Sequence, residues 1–365
     1  MPVARLLRGL VAASAVMLLA AGCGGDAAPS GSDGADGGVR LADVQPAADP
    51  RAITGPSTAV VADSAIRPVT DDPAQQLPAT VTDAQGTTVT VSDTSRILAL
   101  DVYGTTSRIV YELGLGDSVV GRDTSSEFAE IVDEPLVTTN GHELSAEAIL
   151  ELAPTVLITD TSLGPWDVVL QMRDAGVPVV VVDSERSVGN AAELITQVAD
   201  ALGVSEAGAE LAQRTQAEVE AKIAEIAKVA PADDADKLRV AFLYVRGQAG
   251  VYYLFGGGSG ADSLVEAVGA RDVAAEIGWD GMKPVTDEGV IKAAPDVVLV
   301  MTKGLESVGG VDGLLEQLPA VASTPAGKNR RVVDMDDTEV LSFGSQTADV
   351  IDALAVALYA PTAAS

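Results

Sequence analysis

Short apolar runs alternate with helix-period stretches from about residue 80 almost to the C-terminal end. Alternating Val and Thr between Thr80 and Val91, on either side of Asp83-Ala-Gln-Gly86, predict a β-hairpin. Ile97 to Leu100 predicts a buried strand, Thr105 to Leu113 a helix closed by Gly114, and Ser118 to Gly121 another strand. Ser145 is placed to cap a short helix that Pro154 ends before the apolar run Val156 to Ile158. Trp166 to Ala175 reads as a helix stopped by Gly176, and Val177 to Asp183 as a continuous apolar strand. Apolar strands interleaved with helices mean a mostly parallel sheet covered on both faces.

Between Ala191 and Val229 the pattern changes to helix formers broken only at Gly203-Val-Ser205. Ser205 would cap a long helix, about Glu206 to Ala227, with Leu211, Val219, Ile223 and Ile226 on one face. At 1.5 Å per residue such a helix is about 30 Å long, enough to reach from one lobe to another. Leu238 to Arg246 is then a strand, Tyr252, Tyr253 and Phe255 follow, and Gly256-Gly-Gly-Ser-Gly260 leads into a helix. Val332 to Met335 should be the last strand and Thr347 to Leu358 a closing helix. Thr286 to Val300 repeats Ser145 to Thr159: Glu147 aligns with Glu288, Ile149 with Val290 and Pro154 with Pro295, all at an offset of 141.

This duplication predicts an α/β protein of two similar Rossmann-like lobes with mostly parallel sheets, joined by a single long connecting helix. The ligand cleft is then expected between the lobes. The expected boundaries are 76–190 for the N-terminal lobe, 191–229 for the helical connector and 230–362 for the C-terminal lobe.

The first residues add a destination. Arg5 and Arg8 precede an apolar segment, Leu10 to Ala21, too short to span a membrane and typical of a secretory signal. Leu19-Ala-Ala-Gly-Cys23 resembles a bacterial lipobox, which makes residues 1–22 a signal peptide and Cys23 a lipidated N-terminus. Cys23 is the only cysteine, so disulfides and cysteine-ligated metal sites are excluded. Residues 24 to 75 are rich in Gly, Ala, Asp, Ser and Pro and read as a flexible tether. Without residues 1–22 the chain carries 21 basic and 53 acidic residues, a formal −32, which makes nucleic acid an unsuitable partner.

Scarce residues carry the chemistry. His142 is the only histidine and follows the turn dipeptide Asn140-Gly141, on a strand-to-helix loop. With one histidine and no Gly-x-Ser-x-Gly elbow, the usual nucleophile-and-base sets are poorly supplied. The glycine-rich run is not followed by Gly-Lys-[Ser/Thr], which excludes a Walker loop. A zinc or manganese site would want more imidazoles or clustered carboxylates, whereas a haem iron needs one or two axial ligands, commonly imidazole or tyrosinate. Tyr244-Val-Arg246 is the matching candidate in the other lobe, since strand residues two apart share a face and the arginine's charge favours phenolate.

Together, Val120-Gly-Arg-Asp123, Leu144-Ser-Ala-Glu-Ala-Ile149, Tyr244-Val-Arg246 and Gly281-Met-Lys-Pro-Val-Thr-Asp-Glu288 resemble the substrate-binding lipoproteins of haemin ABC importers (HmuT-like), which have the class III periplasmic-binding-protein fold. The resemblance covers about residues 78 to 360. It implies that His142 and Tyr244 are axial haem ligands and that Arg246 hydrogen-bonds the tyrosinate. It further implies that Glu147 and Glu288 dock on a permease served by an ATPase. Arg122, Tyr252, Tyr253 and Trp279 become candidates to reach the porphyrin, and Met282 stands where an aromatic wall residue is common. Glu127-Phe128 departs from relatives that carry a further tyrosine ligand there. The general scaffold also serves ferric-siderophore and cobalamin receptors, which stay open as alternatives. The expected protein is a monomeric, non-enzymatic receptor, lipid-anchored on the extracytoplasmic face of the membrane, with haem as its transported ligand.

Overall fold

The computed structural model describes residues 37–361. The signal segment, Cys23 and the first part of the expected tether lie outside the described residues. From residue 37 the chain is already structured against the C-terminal half. Leu41 is buried in that half's core, and its backbone N–H donates to the Asp352 carboxylate at 3.3 Å. Strand β1 (Ser57–Ala59) then pairs in parallel with the last strand of the molecule. The expectation of a tether up to residue 75 is therefore corrected here, because apolar residues Leu41, Ala59 and Val61 find a core to enter.

The N-terminal lobe follows. A hairpin of β2 (Ala79–Thr82) and β3 (Thr88–Val91) precedes a three-stranded parallel sheet. That sheet is ordered β4 (Ile97–Leu100), β7 (Val156–Thr159), β8 (Val179–Val181), and every residue of the three strands is buried. Between β4 and β7 lie helix α1 (Thr105–Val110), the small hairpin β5 (Thr138–Thr139) and β6 (Glu143–Leu144), and α2 (Ala146–Glu151). Ser118 to Gly121, expected as a strand, makes only a single bridge from Val119 to Ile97. Helix α3 (Trp166–Asp174) connects β7 to β8.

Helices α4 (Ala191–Ala201) and α5 (Ser205–Ile226) form the connector. Ser205 is the first helical residue rather than the cap, and its Oγ turns to Asp200 Oδ1 at 2.5 Å. Leu211, Val219 and Ile226 are buried, whereas Ile223 is exposed, so the buried stripe is narrower than its apolar sequence.

The C-terminal lobe carries a mixed seven-stranded sheet. Its strands in chain order are β9 (Arg239–Arg246), β10 (Val251–Phe255), β11 (Arg271–Asp272), β12 (Met282–Pro284), β13 (Val297–Met301) and β14 (Val332–Met335), with β1 at the far edge. β1, β14, β13 and β9 run parallel, and β10 and β12 add antiparallel edges. Helices α6 (Ala261–Ala267), α7 (Val273–Glu276), α8 (Asp287–Ala293), α9 (Thr302–Ser307), α10 (Gly310–Gln317), α11 (Pro319–Ser323), α12 (Pro325–Asn329) and α13 (Thr347–Tyr359) surround it. Almost every residue of α13 is buried, which explains its almost wholly apolar sequence.

The duplicated segment shows how sequence sets local structure. Ser145 Oγ accepts the Ala148 N–H at 3.3 Å, and Thr286 Oγ1 accepts the Gly289 N–H at 3.1 Å, so each copy is capped at the same position. Each helix ends on an alanine forced left-handed, Ala153 (φ 43) and Ala294 (φ 41), immediately before Pro154 and Pro295. A residue before proline is disfavoured in the right-handed helical region, and a left-handed alanine costs about 1–2 kcal/mol. The following strands, β7 and β13, are wholly buried and hold that conformation in place.

The N-terminal arm crosses between lobes. Arg51 donates to the carbonyls of Ala235 and Lys237 in the C-terminal lobe, while the Val69 N–H donates to the Glu112 carbonyl and the Gln76 N–H to the Gly203 carbonyl on the N-terminal side. The lobes are thus joined twice, by this arm and by α5. Because Leu41 is a core residue of the folded unit, Leu41→Ala should lower the unfolding free energy by about 2–4 kcal/mol in urea titrations. A residue in a free tether would leave the midpoint unchanged.

Candidate functional site

A cavity of about 440 Å³ opens between the lobes, within the usual range for small-molecule sites. It is built on the loops that leave the carboxyl ends of the parallel strands, where open α/β sheets place ligands. Val102 and Tyr103 follow β4, Met301 ends β13 and Lys303 follows it, and Asp337 and Thr338 follow β14. His142 and Gly141 come from the β5–β6 turn. Asn140 (φ 47) and Gly141 (φ 91) both adopt left-handed backbone there, which suits Asn-Gly and projects His142 from a hairpin tip rather than from a plain loop.

Tyr244 and Arg246 enter from β9 on the opposite wall. Tyr244 is half-buried and meets the edge of Phe255 with ring centroids 6.3 Å apart. The Arg246 guanidinium carbon lies 4.5 Å from the centroid of the Tyr244 ring. Its N–H groups donate to Asp337 Oδ2 at 2.7 Å and to the Val245 carbonyl at 2.9 Å. Here the guanidinium sits over the tyrosine ring, and Asp337 accepts its hydrogen bond. Gly304 is part of the same packing, since a Cβ there would stand 2.7 Å from the Val245 carbonyl oxygen and 3.1 Å from Arg246 Nη1.

Met282 lines the cavity from β12 and is 49% exposed. The other expected pocket residues lie elsewhere. Arg122 spends its N–H groups on the carbonyls of Val132, Asp123 and Ser126. Tyr252 points to the other face of the sheet, where it reaches Gln317. Trp279 packs into the second core of the lobe under the Lys283 ammonium. Tyr253 stands directly across from Tyr244 in the β10–β9 ladder, on the same sheet face but outside the lining. One-residue alternation in β10 separates Tyr252 from Tyr253, and which of them faced the cleft depended on pairing with β9.

Tyr103, Glu127, Lys303 and Asp337 are lining residues that sequence reasoning missed. Three of them, Tyr103, Lys303 and Asp337, lie within three residues of the end of a buried parallel strand, and that position is the signal that could have found them. Behind Tyr103, the buried Arg186 pairs with Asp160 at 2.7 Å and lies 5.3 Å from the tyrosine ring centroid. Burial, then neighbouring Asp101, pushes Asp160 up to about 6 against the pull of Arg186. Burial also pushes the Tyr103 phenol up, which keeps it a neutral hydroxyl on the cleft wall.

His142 is lowered from its ordinary 6.5, first by partial burial and then by the positive charges of Arg246 and Lys303 on the facing wall. Both causes disfavour imidazolium, so the neutral ring with a free lone pair persists to lower pH. Among the described residues, no three His, Cys, Asp or Glu side chains converge as a metal site. The cleft does bring one imidazole, His142, and the Tyr244 phenol to opposite walls.

The chain belongs to the periplasmic binding protein family, whose model matches residues 102–339. Its two-lobed α/β architecture is that of class III members. Among solved structures, the heme binding protein HmuT is 42% identical, with a TM-score of 0.80 over 86% of this chain and 99% of that one. HmuT has also been solved as separate alanine variants of a histidine, a tyrosine and the arginine two places after that tyrosine. The periplasmic heme-binding protein RhuT of Roseiflexus sp. RS-1 is 37% identical, with a TM-score of 0.67 over 75% of this chain and 100% of that one. The uncharacterized ABC transporter substrate-binding lipoprotein YvrC of Bacillus subtilis is 25% identical over 289 residues, 78% of this chain and 87% of the relative.

With one histidine in the chain, its proton NMR titration is a single unambiguous curve. The midpoint should fall below 6.5, and Lys303→Met should move it upward, because removing a facing cation removes part of the penalty on imidazolium.

Proposed function

We propose that this protein is the haem-capturing component of an ABC importer, holding ferric haem between its lobes and handing it to a permease driven by an ATPase. The observation that carries this reading is the meeting of His142 and Tyr244 on opposite walls of one cleft. A haem is a flat disc whose iron has two axial positions, and two donors from facing walls suit a disc held with one face toward each lobe. Tyrosinate and neutral imidazole are both ordinary axial ligands. The likeness to HmuT, itself studied at a histidine and at a tyrosine and arginine spaced as Tyr244 and Arg246 are, supports the same reading.

Each residue has a stated part. His142, kept neutral by its surroundings, offers its lone pair to iron from the N-terminal lobe. Tyr244 offers its oxygen from the C-terminal lobe, with the Arg246 guanidinium set against its ring. Asp337 holds Arg246 at the ring. Phe255, Met282, Met301 and Leu341 provide apolar wall for the macrocycle. No step of this scheme makes or breaks a covalent bond in the ligand, so the protein acts as a receptor and not as an enzyme.

The docking surface follows from the duplication. Glu147 on α2 and Glu288 on α8 are both exposed and make no ion pair among the described residues. One turn further on, the equivalent positions carry Leu150 and Ile291, 46% and 57% exposed. Each lobe thus presents an acid beside an apolar side chain, a pattern suited to a permease with two matching basic and apolar patches. Secretion and lipidation at Cys23 would keep this monomeric receptor on the extracytoplasmic face of the membrane, beside that permease.

Haemin added to the purified protein should produce a shifted Soret band, and competing ferric siderophore or cobalamin should not displace it. His142→Ala and Tyr244→Ala should each alter the band and weaken binding by at least about tenfold, equivalent to 1.4 kcal/mol. An unchanged spectrum in both variants would remove the ligand assignment. Separately, the paired change Glu147→Ala and Glu288→Ala should leave the haemin spectrum intact while abolishing stimulation of permease ATPase activity in proteoliposomes.

A further inference from the structure

Two cations line the cleft, and they are held very differently. Arg246 is locked by a 2.7 Å ion pair to Asp337, whose side chain is only 12% exposed. Lys303 meets Glu127 across the cleft, from the other lobe, at 3.5 Å, and the side chains are 55% and 46% exposed. A long, exposed pair of this kind contributes little to stability and is readily exchanged. The Lys303 backbone is nevertheless fixed, because its N–H donates to Asp337 Oδ1 at 2.9 Å. Its root is therefore anchored at the cleft wall while its ammonium is free to change partner.

We propose that Lys303 is the cation that reads the carboxylates of the bound ligand, and that Glu127 is an internal carboxylate occupying that position in the empty protein. The proposal rests on the haem reading, because haem carries two propionate carboxylates at one edge of an otherwise apolar disc. When the disc enters, a propionate replaces Glu127 on the Lys303 ammonium. The exchange trades one carboxylate for another on the Lys303 ammonium, while Glu127, 46% exposed, turns to solvent. Freed from Lys303, Glu127 stays at the N-terminal rim and competes for the same ammonium, which lowers affinity and assists release when the lobes part. Specificity follows: a neutral porphyrin ester gains the apolar wall and the iron ligands but cannot displace Glu127.

The test compares haemin with its dimethyl ester by Soret titration against wild type, Lys303→Met, Glu127→Gln and the double variant. Both side chains are exposed, so the variants should fold as wild type does, which circular dichroism checks. Lys303→Met should weaken haemin binding by about tenfold and Glu127→Gln should tighten it by about threefold, a scale expected for a partly exposed charge contact. In the double variant the gain from Glu127→Gln should vanish, since the acid then has no ammonium to guard. Binding of the ester should change by less than about twofold in Lys303→Met. Equal losses for haemin and ester in Lys303→Met, or haemin affinity unchanged in that variant, would overturn the exchange while leaving the haem reading intact. Absence of any Soret shift in wild type would overturn both.

Discussion

Asp337 joins three strand ends on which the C-terminal wall of the cleft depends. Its carboxylate accepts from the Arg246 guanidinium at the end of β9 and from the Lys303 backbone at the end of β13, while the residue itself follows β14. Neighbouring parallel strands finish at the same level, and one acid at that level can therefore bind all three. Arg246, committed to Asp337, lies 4.5 Å from the centroid of the Tyr244 ring, and both residues line the cleft. Because the Lys303 backbone is committed, its ammonium reaches the opposite lobe. The absence of a side chain at Gly304 is what lets the guanidinium fit.

The N-terminal wall is assembled by a different route. His142 stands on a hairpin tip whose Asn-Gly backbone is left-handed at both residues, and the hairpin leads directly into the capped helix α2. Tyr103 is supported from behind by the buried Asp160 and Arg186 pair. Burial first, and then the Arg246 and Lys303 charges on the facing wall, lower the imidazole's pKa before any ligand arrives. α5 and the N-terminal arm, which both cross between the lobes, bring these walls together. A double connection limits the ways in which the lobes can move apart.

Much of this was legible in the residues. The offset of 141 between Ser145 and Thr286, Glu147 and Glu288, and Pro154 and Pro295 announces a duplicated cap, helix and buried strand, and the structure repeats even the left-handed alanine before each proline. The long helix and the alternation of strand and helix patterns were equally direct, since they depend on local periodicity. Residues 37–61 were not legible as structure. Their few apolar side chains have no period of their own and are stabilised only by a strand edge and a core contributed from residues some 300 positions later.

The candidate site divides along the same line. His142, Tyr244 and Arg246 stand out in the sequence by scarcity and by spacing, and all three line the cleft. Whether Arg246 touches the tyrosine oxygen or its ring was decided by Asp337, 91 residues away, and whether Tyr252 or Tyr253 shares the face of Tyr244 was decided by the register of β10 on β9. The meeting of Lys303 with Glu127 was likewise decided by how two lobes close on one another. Sequence alone determined the scaffold and its scarce donors, because periodicity and composition act through near neighbours. The partners of those donors were set only by tertiary structure, because hydrogen bonds and ion pairs depend on distances that chain order does not carry.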